Sequence, residues 1–135
     1  MADLYRSVIK MEGIVYEKLF DNEGNFDLNK IIPEPKDVND DWWRFNNWGT
    51  NRNTQETEII DNNTIRIITD WGIPDKVFEA FMEKYLEEKD IEILYAHESS
   101  GENAGRYYAE DGYWSSVTYD DDSEEAYETF EECWN

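Results

Sequence analysis

The sequence predicts an α+β protein in which helices pack on a mainly antiparallel sheet. Three observations carry this expectation. Short runs alternate apolar and polar side chains with the period of two that marks a half-buried strand. One stretch repeats its apolar residues at spacings of three and four, with acids on the other side. Two pairs of strand-like runs are joined by turn residues, Asn62-Asn63 and Asp111-Gly112.

The elements follow in chain order. Residues 4–11 place Leu4, Arg6, Val8 and Lys10 on one side and Tyr5, Ser7, Ile9 and Met11 on the other, which predicts the first strand. The apolar stretch after Gly13, Ile14 to Phe20, reads as a short helix or a second strand and ends in the turn-rich Asp21-Asn22-Glu23-Gly24-Asn25. Residues 26–55 are expected to be irregular, because Pro33 and Pro35 each remove a backbone donor and restrict the residue before them. Within them, Trp42, Trp43, Phe45 and Trp48 form an aromatic loop. Residues 58–68 read as a hairpin about Asn62-Asn63, residues that tolerate positive φ.

Pro74 stands where a first helical residue belongs. Val77, Phe78, Phe81, Met82, Tyr85 and Leu86 then predict a long amphipathic helix. A strand over 91–95, a Ser/Gly-rich loop at 99–105 and a hairpin about Asp111-Gly112 follow. The tail predicts a helix with Asp122 as N-cap, Glu125 as its capping-box partner, and Ala126, Tyr127, Phe130, Cys133 and Trp134 as the apolar face.

Charge narrows the function. The chain has 135 residues, 33 acidic against 12 Lys and Arg, and a net charge of −21. Phosphate binding runs on Lys and Arg that release condensed counterions, so direct nucleic-acid binding is not expected, nor is an anionic membrane surface. Acidity of this order often marks disorder, but an aromatic content of 16% supplies side chains that bury roughly 150–250 Å² each. A folded, acidic globule of one domain over residues 1–135 is expected, with 113–135 an acidic C-terminal extension. The charge is also uneven. From Tyr107 to the C-terminus lie ten acids (Glu110, Asp111, Asp120, Asp121, Asp122, Glu124, Glu125, Glu128, Glu131 and Glu132) and no Lys or Arg.

Four motifs, in order, carry a family resemblance. They are Phe26-Asp27-Leu28-Asn29-Lys30-Ile31-Ile32-Pro33-Glu34-Pro35, Asn47-Trp48-Gly49-Thr50, Thr69-Asp70-Trp71-Gly72-Ile73-Pro74, and Gly101-Glu102-Asn103-Ala104-Gly105 with the tyrosines after it. Over residues 26–112 the chain resembles the YubB-type ferredoxin-like proteins of plasmids and phages. The resemblance implies a ferredoxin-like split βαβ core and a mobile-element origin, and little about chemistry. The chain departs from the family pattern after Thr50, where Asn51-Arg52 stand in place of Lys-Trp.

No enzyme is expected. His97 is the only histidine, so a nucleophilic triad would have to use it, and the one cysteine, Cys133, falls on the apolar face of the last helix. No metal or other cofactor is expected either. Asp120-Asp121-Asp122 point in divergent directions, and Asp21, Glu23, Asn25 and Asp27 lack the glycine and closing Glu of a calcium loop. The lone cysteine and the first residues, Met1-Ala2-Asp3-Leu4-Tyr5-Arg6, without the basic segment and apolar core of a signal peptide, point to a cytoplasmic location, and the resemblance implies a bacterial host.

The function expected first is inhibition of a bacterial defence nuclease, a CRISPR effector or restriction enzyme. An acidic surface (Asp120, Asp121, Asp122, Glu124, Glu125, Glu128, Glu131 and Glu132) would fill its basic nucleic-acid channel. Helical acids one turn apart, about 5.4 Å, approach the spacing of phosphates along a strand. The alternative is a non-catalytic adaptor that binds protein through Trp42 and Trp43 in the loop 42–48. A third reading is a ligand site near Asn47-Trp48-Gly49-Thr50, Asp70 and His97.

Overall fold

A computed structural model describes residues 3–38 and 40–135; the reading of the first residues therefore lies partly outside it, since Met1 and Ala2 are not among them. The elements in chain order are β1 (Leu4–Met11), α1 (Asp41–Trp48), β2 (Glu56–Asp61), β3 (Thr64–Asp70), α2 (Asp75–Tyr85), β4 (Ile91–His97), β5 (Gly105–Glu110), β6 (Tyr113–Thr118) and α3 (Glu124–Trp134), with 3-10 turns at Ile14–Tyr16 and Leu28–Lys30. The six strands form one antiparallel sheet in the order β2-β3-β1-β4-β5-β6. The α+β expectation with a mainly antiparallel sheet is met. Among the described residues, no helix is long and apolar enough to cross a membrane.

Alternation along the strands sends the core to both faces. Ile9, Met11, Ile65, Ile67, Ile93 and Tyr107 face α1 and α2, where Trp48, Val77, Phe78, Phe81 and Met82 cover them. Val8, Leu94 and Ala96 face the other way and meet Ala126 and Cys133 of α3. The small Ala96, Ala104 and Ala126 let α3 lie close to the sheet, and the Trp134 indole N–H donates to Ala96 O at 3.0 Å. The result is three layers, with α1 and α2 on one face and α3 on the other.

Four sequence expectations need correction. The aromatic loop 42–48 is the helix α1. Asp40 caps it by accepting from Trp42 N at 2.9 Å, and Gly49, at φ 97°, ends it. Pro74 is the N-cap of α2 and not its first residue. The cap of α3 is Ser123, whose Oγ accepts from Ala126 N at 3.1 Å; Asp122 sits one residue earlier at φ 63°, so Asp122 and Glu125 form no capping box. Neither Asn62 nor Asn63 has positive φ: Asp61 holds that turn by accepting from Asn63 N at 2.8 Å. At Asp111-Gly112 the expectation holds, with φ of 56° and 81°.

The two Trp-Gly motifs interlock. A Cβ on Gly49 would lie 1.8 Å from Asp75 Oδ1, and one on Gly72 would lie 2.8 Å from Gly49 O. Thr50 Oγ1 donates to Asp70 O across the same junction. This close approach joins the end of α1 to the start of α2.

Candidate functional site

The eight acids expected to bind a partner lie on α3 and the turn before it. All eight are exposed. The helix forms there because Ser123 caps it and its inner face docks on the sheet. That face is Ala126, Thr129 and Cys133, flanked by Phe130 and Trp134. Tyr127, expected on the buried side, is 42% exposed and donates its hydroxyl to Asp122 Oδ1 at 2.8 Å. Its ring packs over Gly101, where a Cβ would approach within 2.7 Å.

The acids do not behave alike. Glu132 turns inward and pairs with Lys10 Nζ on the sheet, so it is partly neutralised within the chain. Burial alone would lower the Lys10 pKa, but Glu132 and Glu92 together raise it above its ordinary value. Asp121 accepts from Asn103 N at 3.2 Å and Glu131 accepts from the Asn135 amide, both neutral donors. Among the described residues, none of Asp120, Asp121, Asp122, Glu124, Glu125, Glu128 and Glu131 pairs with a cation. These seven carboxylates form a ridge of uncompensated negative charge.

The aromatic residues lie elsewhere. Trp48 is 1% exposed, and its indole N–H donates to Ile32 O at 2.8 Å, tying the proline segment to the core. Trp43 packs edge-on against Trp48 at 5.8 Å, so it serves the core, while Trp42 is 71% exposed. Arg44 pairs with Glu34 and Asp41, and Arg52 with Asp70, so both arginines beside α1 face carboxylates of the chain itself. Since α1 and α3 cover opposite faces, Trp42 and the acidic ridge do not form one surface.

Compared with protein-family models, curated proteins and solved structures, the chain matches none.

The third set of residues also separates. Tyr5 pairs with His97 and Leu4 with Asp70 across β1, so His97 and Asp70 point to opposite faces of the sheet. They cannot act as an acid–base pair. Asp70 is buried, with Oδ2 3.2 Å from Arg52 Nε and Oδ1 without a partner. His97 Nδ1 accepts from Ser99 N at 3.0 Å, which places the ring proton on Nε2, 3.3 Å from Asp3 Oδ1. Asp3, His97 and Glu98 bring one ligand atom each within 4.8 Å of one another. With both imidazole nitrogens committed, and with Glu98 accepting from Leu4 N at 2.7 Å, the trio is a hydrogen-bonded clasp of the β1 and β4 ends. Sequence reading missed this clasp because Asp3 and His97 meet only through strand pairing.

Asp21 and Asp27 are also committed, to turns. Asp21 Oδ1 accepts from Glu23 N and Asn25 N, and Asp27 Oδ1 from Asn29 N. A cleft of about 660 Å³ does open beside the Trp-Gly junction, walled by Tyr5, Phe45, Trp71, Tyr95 and Tyr107. Burial raises the pKa of Tyr5, Tyr95 and Tyr107, which keeps these hydroxyls neutral.

Proposed function

We propose that this protein is a non-catalytic inhibitor of a bacterial defence nuclease, acting against CRISPR or restriction. It presents α3 and Asp120–Asp122 to a Lys/Arg-lined channel in place of DNA or RNA. The observation that carries the reading is the ridge of seven exposed carboxylates that no cation among the described residues compensates. Like charges held together on a small protein weaken its compact state, whereas facing a basic channel they steer association and fix its register. Glu124, Glu128 and Glu131 follow one another along the outer side of a helix anchored on the sheet by its opposite side, so they are held at fixed spacing.

The same reading places the protein on a phage or mobile element and in the cytoplasm of its host, in keeping with the YubB-type resemblance. We infer further that β1 to β4 with α1 and α2 make the ferredoxin-like split βαβ core of that family. What supports this is the order β2-β3-β1-β4, in which α1 joins β1 to β2 around β3 and α2 joins β3 to β4 around β1. On this view β5, β6 and α3 are additions to the core.

The test is the triple variant Glu124→Lys, Glu128→Lys, Glu131→Lys. Inhibition and co-purification with the nuclease are expected to fall by about tenfold or more, since even exposed ion pairs contribute up to about 1 kcal/mol each. Full inhibition by the folded variant would remove the acidic ridge as the contact. A second reading, an adaptor, has one specific observation in its favour, the exposure of Trp42. Under it, Trp42→Ala abolishes partner capture and added salt scarcely weakens it.

A further inference from the structure

The two edges of the sheet are unlike. A sheet edge offers a row of unpaired N–H and C=O groups, and proteins usually blunt it with charges, bulges or covering chain. At β2 all three devices are present. Glu56, Glu58 and Asp61 put carboxylates on the edge strand, the register shifts between Ile59 and Asp61, and Phe26 N donates to Thr57 Oγ1 at 2.8 Å. At β6 there are none. Its six residues, Tyr113 to Thr118, include no charge, proline or glycine, and all but Trp114 are exposed.

The free groups can be named. The two-residue turn at Asp111-Gly112 makes Glu110 and Tyr113 a pair that exchanges both hydrogen bonds. Alternation then makes Tyr108/Ser115 and Arg106/Val117 bonded pairs as well. The backbone groups of Trp114, Ser116 and Thr118 therefore point away from β5, and no other described segment pairs with them. Six residues present an edge of about 20 Å.

Charge says what fits this edge. Glu110 and Asp111 stand at one end and Asp120, Asp121 and Asp122 at the other, all exposed. A second copy of this chain pairing antiparallel would bring each acidic end against the other, on molecules that each carry −21. We propose that β6 is a docking edge for an extended peptide segment of a partner, uncharged in its middle and carrying Lys or Arg at both ends, added to the sheet as a seventh strand. Main-chain bonds to Trp114, Ser116 and Thr118 hold the middle of the segment, and the two acidic ends select its flanks. This goes beyond the inhibitor reading; it shares Asp120–Asp122 with it but does not use the outer face of α3.

The test uses the full chain, isotope-labelled for NMR, and a synthetic peptide of about ten residues, alternating valine and threonine with two lysines at each end. Saturating peptide is expected to slow amide exchange at Ser116 and Thr118 about tenfold or more. The same peptide with glutamates for lysines should bind at least about tenfold more weakly. Ser116→Pro removes an outward N–H without breaking a bond to β5, and should weaken binding about fivefold or more. Because that variant could disturb the hairpin, a peptide N-methylated at alternate residues is run against the unaltered chain, where it should fail to bind. The Glu124→Lys, Glu128→Lys, Glu131→Lys variant should bind the lysine peptide as the parent does, so failure here is separate from failure of the inhibitor reading. No binding, equal binding of both peptides, binding of the N-methylated peptide, or protection confined to other strands would overturn the proposal. Concentration-dependent protection of Ser116 and Thr118 without peptide would give the edge to a second copy, and would overturn it too.

Discussion

The Cys133 thiol lies between α3 and the sheet, and burial pushes its pKa up to about 12, with nearby Glu132 acting in the same direction. It is therefore a packing group and no nucleophile at neutral pH. The unfolded thiol ionises near 9.0 while the folded one keeps its proton. The stabilisation from this difference is fully present below pH about 9 and is lost as pH rises towards 12. Tyr95 and Tyr107, also raised by burial, act in the same sense. Urea unfolding should show stability falling above pH about 9, and Cys133→Ala should make that fall shallower by roughly 1–2 kcal/mol at pH about 10.5. An equal slope in the variant would mean that the thiol does not titrate with unfolding. The single cysteine and its buried face were legible from the helical spacing of Ala126, Phe130 and Cys133. The contact of His97 with Asp3 was not, because it forms only through the pairing of β1 with β4.

Among the elements, α2 was legible and α1 was not. In α2, five buried apolar residues recur over 11 residues, enough turns for the period to show. α1 has eight residues, two adjacent tryptophans and two asparagines, which are poor helix formers. Its helix depends on Asp40 at one end, Gly49 at the other, and the burial of Trp48 against the body of the protein. Trp48→Ala should cost about 3–5 kcal/mol, as truncation of a buried large aromatic does. Trp42→Ala, on the exposed side, should change stability by no more than about 0.5 kcal/mol. Equal losses in chemical denaturation would show that the two tryptophans do not divide between core and surface. At α3 the sequence placed the helix but misplaced its cap by one residue. Asp122 and Ser123 are both good caps, and the choice fell to Ser123 because Asp122 takes a left-handed turn and engages Tyr127.

For the whole molecule, the charge of −21 has a consequence for folding as well as for partners. Self-repulsion of the ridge and the other uncompensated acids should make the protein salt-stabilised. Raising sodium chloride from about 20 to 200 mM, which shortens the screening length several-fold, should raise Tm by a few degrees. A fall in Tm would mean that pairs such as Lys10–Glu132 and Arg44–Glu34 outweigh the repulsion. Composition alone determined that the protein is acidic and rich in aromatics. Local pattern determined six strands and two helices well enough to give the α+β class, because alternation and helical spacing need only neighbouring residues. Pairing and packing decided the rest. They set the sheet order, put α1 and α3 on opposite faces so that Trp42 and the acids are separate surfaces, turned Glu132 inward to Lys10, and left β6 bare while β2 was blunted. Each of these depends on which distant residues come to lie side by side, and the energy of such contacts is not encoded in any one stretch of chain.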